Sequence, residues 1–246
     1  MQRIFSCSAL VLRVRSAGES NREASFLCAE EGVFTATLFG GPKSRLRSHI
    51  SPFNSGTLWF YRDTSREFRK VNDFDVVSWR PGLRERYERS QAASGIAGIV
   101  LNSRGGGGAF ARAVDLVCES LDALENADEA CCQRLLVLFM WNWAGVLGQK
   151  PGLGFCSSCA CEAAGDEVLW FVRGEGLLCG KCFHKVRLWA AASGREAGLA
   201  LGPGARRWLG AVEGRPPGAV SRMSLDASSL AQAREFVRAL VGDVIS

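Results

Sequence analysis

The hydrophobic period of this 246-residue chain changes once, at Trp79-Arg80-Pro81-Gly82, and that change limits what the chain can fold into. Before it, apolar residues recur every second position, the period of a half-buried strand. Leu10, Leu12 and Val14 share one face and Arg13 and Arg15 the other. Phe34, Ala36 and Leu38 alternate with Thr35 and Thr37, and Leu58 and Phe60 with Trp59 and Tyr61. Ala24–Ala29 and Phe68–Val77 are further strand candidates, and Gly18, Gly32, Gly40-Gly41-Pro42 and Ser55-Gly56 punctuate the series. Five strands with no helix-length pattern among them predict a small antiparallel barrel, for which the OB-fold is the commonest five-stranded form.

After Pro81, a plausible first-turn proline, the period becomes helical. Leu83–Leu101 reads as one helix, and Gly105–Gly108 as a flexible linker. Phe110, Val114, Val117, Cys118, Leu121 and Leu124 mark a second helix, and Glu129–Leu147 a third, largely buried one. Phe183–Ala192 and Ala205–Val212 are shorter candidates, and Leu230, Ala233, Val237, Leu240 and Val241 trace a last amphipathic helix. The expected class is α+β: an OB barrel over 1–80, then a helical domain over 81–246 that carries a cysteine ribbon at about 153–183.

Two Cys-x-x-Cys pairs, Cys156/Cys159 and Cys179/Cys182, carry the sharpest chemistry. Each pair makes a knuckle that points two sulfurs at one place, and the segment between them returns as a hairpin. Four thiolates complete a tetrahedron around Zn²⁺ with no position left for water, so such a site holds a fold and activates no nucleophile. Iron–sulfur ligation and a redox Cys179–Cys182 pair are the competing readings; no thioredoxin-like unit surrounds the latter. Cys161 and His184 lie beside the set as spare ligands. Cys7, Cys28, Cys118, Cys131 and Cys132 fall in apolar surroundings and read as small core residues.

The remaining features exclude more than they assign. With His49 and His184 the only histidines, a histidine-based triad has few candidates, and no GxxxxGK[ST] loop or clustered carboxylate pair is present. Met1–Phe5 lacks the apolar stretch of a signal peptide, and Leu135–Leu147 is too short to cross a bilayer, so a soluble protein with reduced thiols is expected. The net charge is +5, and its excess lies in residues 1–80, where 12 Lys/Arg face 8 Asp/Glu. Lys43, Arg45 and Arg47 follow the third strand on a loop suited to phosphate contacts, and Arg13 and Arg15 would add a groove wall. That loop is equally readable as a solvated basic turn. Trp59 and Tyr61 either stack bases or pack against a neighbouring domain. A protein–protein adaptor, with the ribbon and helices as docking surfaces, is the alternative to a DNA-binding protein.

The order of motifs resembles one family. The Gly18-Glu19 turn, Gly41-Pro42-Lys43-Ser44-Arg45-Leu46, Ser51-Pro52-Phe53, Leu83-Arg84-Glu85-Arg86-Tyr87, Pro151-Gly152-Leu153 before Cys156-Ser157-Ser158-Cys159, and Gly174–Cys182 together look like the RecO recombination mediators of bacterial DNA repair. The resemblance implies a non-enzymatic, cytoplasmic and nucleoid-associated protein whose OB domain binds single- and double-stranded DNA. It also implies annealing of complementary strands, including strands coated by single-stranded DNA-binding protein, and loading of RecA with the help of RecR. Carried over, the basic loop falls on Lys43, Arg45 and Arg47 and the zinc ligands on Cys156, Cys159, Cys179 and Cys182. Two departures stand out: Gly40-Gly41-Pro42 replaces the further basic residues often found before the lysine, and Ala160 replaces a usual glycine after the first pair.

Overall fold

Alternating strands that bury one face leave open edges unless the sheet closes, and here it closes. The computed structural model describes residues 4–40, 44–63, 65, 67–108, 110–192 and 198–245. Strands β1 (Ile4–Ala17), β2 (Asn21–Cys28), β3 (Gly32–Leu38), β4 (Ser55–Asp63) and β5 (Phe68–Ser78) form a barrel in the order β1-β2-β3-β5-β4, and β4 returns to β1. All pairings are antiparallel except β3 with β5, which run parallel at Thr37 and Lys70 and complete the circuit. The OB-type barrel expected from the alternation is therefore present. Its interior is aromatic: Phe34 packs between Phe26 and Phe60, with ring centroids 5.6 and 5.2 Å away, and Phe74 meets Phe26. Gly56 lies where β4 crosses β5 so closely that a Cβ would sit 1.9 Å from the Asp75 carbonyl oxygen. No larger residue fits there without parting the strands.

β1 departs from simple alternation. The register slips between Val11 and Arg13, so Ala9, Val11 and Val14 face the barrel interior, while Leu10 and Leu12 are buried on the other side. The expectation that Leu10, Leu12 and Val14 share a face is thus corrected. The slip has a hydrogen-bonding cause: the Val11 N–H donates to the Asn54 carbonyl at 2.9 Å, and the Val11 carbonyl accepts from the Phe53 N–H at 2.7 Å. One strand thereby serves two apolar environments.

The turn that makes those bonds is clamped. Phe53 has φ +74, a left-handed conformation that a bulky residue keeps only when its surroundings hold it. The guanidinium of Arg80, whose side chain is 3% exposed, donates to the Phe53 carbonyl (2.8 Å), Ser55 Oγ (3.0 Å) and Asp122 Oδ1 (2.5 Å). Arg84 donates to the Pro52 carbonyl at 2.6 Å and to Asn54 Oδ1 at 3.0 Å. The change of period therefore coincides with a polar latch between the barrel and the helices that follow.

Those helices are α2 (Gly82–Glu85), α3 (Tyr87–Asn102), α4 (Phe110–Leu124) and α5 (Glu129–Val146), after a single turn, α1 (Arg45–His49), inside the barrel sequence. Leu83–Leu101 is not one helix: Arg86 is extended at φ −134, ψ 140, and Arg89 donates to the Gly82 carbonyl that a continuous helix would have used. Gly105–Gly108 is not a loose linker either. All four glycines have positive φ, Gly105 and Gly106 are buried, and a Cβ on Gly105 would press on Val33 and Leu27. Contacts divide the chain into two compact units, Met1–Gln133 and Arg134–Ser246, with the division inside α5.

The second unit holds the rest of α5, a small sheet of β6 (Leu169–Val172), β7 (Gly176–Leu178) and β8 (Leu199–Leu201), and α6 (Gly180–Ala192), α7 (Pro203–Ala211), α8 (Pro217–Val220) and α9 (Ala227–Ile245). The β6–β7 pair is the expected hairpin, and β8, which no motif announces, adds to its β6 edge. Phe236 of α9 packs against Trp141 and Phe171, and the Trp141 indole donates to Glu213 Oε2 at 3.0 Å. No helix among the described residues is long and apolar enough to cross a membrane.

Candidate metal centre and nucleic-acid interface

The two cysteine knuckles are built differently. Cys156 and Cys159 lie in a loop closed by the Phe155–Glu162 bridge, with Cys156 N–H donating to the Cys161 carbonyl and Ala160 N–H to the Cys156 carbonyl, both at 2.9 Å. Cys179 follows β7 directly, and Cys182 sits in the first turn of α6. Trp170 of β6 stacks on Phe183 at 4.3 Å and 2°, fixing the helix that carries Cys182 against the hairpin. Ser157 joins the halves, donating its N–H to the Leu177 carbonyl and accepting the Leu177 N–H on Oγ.

The sulfurs of Cys156, Cys159, Cys179 and Cys182 all lie within 4.8 Å of one another, and Cys159 and Cys179 are 3.8 Å apart. A tetrahedron with Zn–S bonds of about 2.3 Å has S···S edges of roughly 3.8 Å, so the set fits a four-coordinate thiophilic ion. Burial alone would raise the Cys156 thiol, but N–H groups of Cys179, Cys159 and Ser158 outweigh it and bring its pKa down to about 6, favouring the ligating thiolate. Cys161, expected as a spare ligand beside the set, places its sulfur 3.2 Å from Cys159. His184, the other spare, is exposed on α6 and is not part of the four-sulfur group. Ala160, in the position of the missing glycine, has φ +56. The knuckle needs a left-handed residue there, and this chain meets the need with a strained alanine.

The cations of the barrel differ from one another. Lys43 lies outside the described residues. Arg45 and Arg47 sit on α1, whose Leu46 packs on the barrel core. Arg45 is exposed, and its Nε lies 3.3 Å from His49 Nε2. Arg47 is half-buried and donates to the carbonyls of Gly40 and Ser20, which ties α1 to the β1–β2 hairpin. Arg13 and Arg15 are exposed on that hairpin, with Arg15 paired to Glu23. The hairpin and α1 thus bring Arg13, Arg15, Arg45 and Arg47 to connected elements of one barrel. Trp59 and Tyr61 are half-buried. The exposed aromatic beside the basic helix is Trp79, edge-on to His49 at 5.3 Å, which the alternation pattern did not single out because it follows the last strand.

Fold and site together define a class of proteins: an OB-type barrel, a helical continuation and a four-cysteine ribbon. Comparison with known proteins narrows it. Residues 1–80 match the family model described as "Recombination protein O N terminal" and residues 84–243 the one described as "Recombination protein O C terminal". A DNA repair protein RecO of Rubrobacter xylanophilus is 28% identical over 181 residues, 73% of this chain and 71% of that protein. One of Pelotomaculum thermopropionicum is 30% identical over 182 residues, covering 73% and 69%, and one of Desulfitobacterium hafniense is 27% identical over 181 residues, covering 73% and 64%. The chain spans between 64% and 71% of the length of these three relatives. It belongs to the RecO family of DNA repair proteins.

Proposed function

We propose that this chain is a non-enzymatic recombination mediator that binds single- and double-stranded DNA through its barrel and anneals complementary strands. With RecR, it helps load RecA onto DNA coated by single-stranded DNA-binding protein. The division of labour follows the sequence reading, with residues 1–80 as the DNA-binding domain and 81–246 as a helical domain carrying the ribbon. Lys43, Arg45 and Arg47 contact phosphates, assisted by Arg13 and Arg15, and one structural Zn²⁺ sits among Cys156, Cys159, Cys179 and Cys182. The observation that carries the reading is the exposed Arg45 on the one-turn helix that Arg47 ties to the arginine-bearing hairpin, in a chain of this family. Binding driven by phosphates is tolerant of sequence and falls steeply with salt. A salt titration of binding to a fluorescent single-stranded oligonucleotide tests it, with the doubly charge-reversed K43E/R45E variant as the control for the surface. Loss of affinity with an unchanged unfolding midpoint is the expected result. A flat salt response in the wild-type chain would instead favour an adaptor that touches DNA only incidentally. Loss of one equivalent of zinc on replacing Cys156 and Cys159 by serine identifies the metal of the ribbon.

A further inference from the structure

Outside the ribbon, a second group of soft ligands converges in the barrel. Cys28, at the end of β2, is wholly buried in the barrel core, and Cys7 of β1 packs half-buried against the same cluster. The two sulfurs lie within 4.8 Å of each other, and the Glu31 N–H donates to Cys28 Sγ at 3.3 Å. Glu30, in the β2–β3 turn, is exposed, yet a carboxylate oxygen of it lies within 4.8 Å of both sulfurs. The turn is held in place: Glu31 takes Arg62 on one carboxylate oxygen and Arg69 on the other, each at 2.8 Å. We infer that Cys7, Cys28 and Glu30 form a second metal site, separate from the ribbon, for a thiophilic divalent cation of the zinc type.

The chemistry favours this over two inert core cysteines. Two thiols and a carboxylate whose ligand atoms all lie within 4.8 Å of one another are a donor set that suits a divalent cation, and the exposed Glu30 can turn onto the ion without a change in the barrel. A divalent cation among two thiolates and one carboxylate leaves a single negative charge, next to a turn already flanked by two arginines. A disulfide is the geometric competitor, and the ladder disfavours it. Cys28 stands opposite Ala9, so Cys7 is its diagonal neighbour, and diagonal positions lie about 7–8 Å apart at Cα, beyond the usual disulfide range. Three protein ligands leave one coordination position for water, reached from the exposed Glu30 side. This site is therefore open where the ribbon is closed, and it should bind its ion less tightly.

Zinc content of the reduced, zinc-loaded full chain tests the inference, read by mass spectrometry and by competition with a fluorescent chelator. The wild-type chain should hold two zinc ions, the C7A/C28A variant one, and the C156S/C159S variant one. Because replacing two buried residues can disturb the barrel, Glu30→Gln gives an independent reading from an exposed turn. It should keep the fold and weaken the looser of the two sites by roughly tenfold or more, at least as much as the loss of an outer-shell partner. One zinc in the wild-type chain, two in C7A/C28A, or unchanged affinity in E30Q would each overturn the inference. So would a thiol titration that finds Cys7 and Cys28 joined in the reduced preparation.

Discussion

Replacing Arg80 by methionine should destabilise the first unit far more than removing the charge of its acidic partner. Methionine keeps most of the stem but none of the three hydrogen bonds. The Phe53 carbonyl loses its charged donor in a buried place, which costs about 1–3 kcal/mol, and Ser55 loses a bond of about 1 kcal/mol. Asp122 contributes little to the loss, because its side chain is 58% exposed and water takes the place of the guanidinium, so that pair is worth about 1 kcal/mol or less. Arg80→Met should therefore cost about 2–4 kcal/mol and Asp122→Asn less than about 1 kcal/mol. Arg80 also has φ +43, so Arg80→Gly, which loses the same bonds, should recover on the order of 1 kcal/mol of backbone strain relative to Arg80→Ala. Urea unfolding combined with hydrogen exchange of peptides from 1–133 reads all four variants, and exchange should rise first in the Ser51–Asn54 turn and around Val11. If Asp122→Asn proves as damaging as Arg80→Met, the latch is an ion pair and the argument from the buried carbonyl is wrong.

Two further outcomes follow from differences between neighbouring residues. Arg45→Ala should reduce the slope of log affinity against log salt on single-stranded DNA by about 0.7 while leaving stability unchanged. Arg47→Ala, which frees the Gly40 and Ser20 carbonyls, should cost about 1 kcal/mol of stability in addition to any change in binding, as a thermal melt would show; equal melts for the two variants would refute the distinction. Ala160→Gly should relieve the left-handed strain in the first knuckle and stabilise the metal-loaded ribbon by about 1 kcal/mol, measured as a rise in the chelator concentration needed to strip the ion.

The parts that were legible in the sequence are those encoded by local period or local spacing. Alternation at Phe34, Ala36 and Leu38 needs only the strand itself, and Cys-x-x-Cys needs only four residues, so the barrel strands and the clustering of the ribbon cysteines were both visible. What was not visible depends on partners far along the chain. The β1 slip exists because Val11 is bonded by residues 53 and 54, and no pattern within β1 encodes that. Arg80 is buried because its acceptors come from two other segments, residues 53–55 and α4, which no local pattern announces. The β3–β5 pairing likewise waits on the closure of the barrel, and the approach of Cys7 to Cys28 on the register of the β1–β2 pair. Arg45 and Arg47 look alike in sequence and differ only in whether carbonyls lie within reach.

The asymmetry of the two knuckles has a kinetic meaning. The second pair straddles the start of α6, with Cys179 just before the helix and Cys182 inside its first turn. Beginning a helix is the slow, unfavourable step, with an equilibrium penalty of about a thousandfold, because several residues must be fixed before the first bond returns anything. A metal ion held by Cys156 and Cys159 would bind Cys179 and Cys182 together and so fix that first turn directly. Metal binding and helix initiation would then be coupled. Removing the ion would then loosen the start of α6 before it loosened the β6–β7 pair.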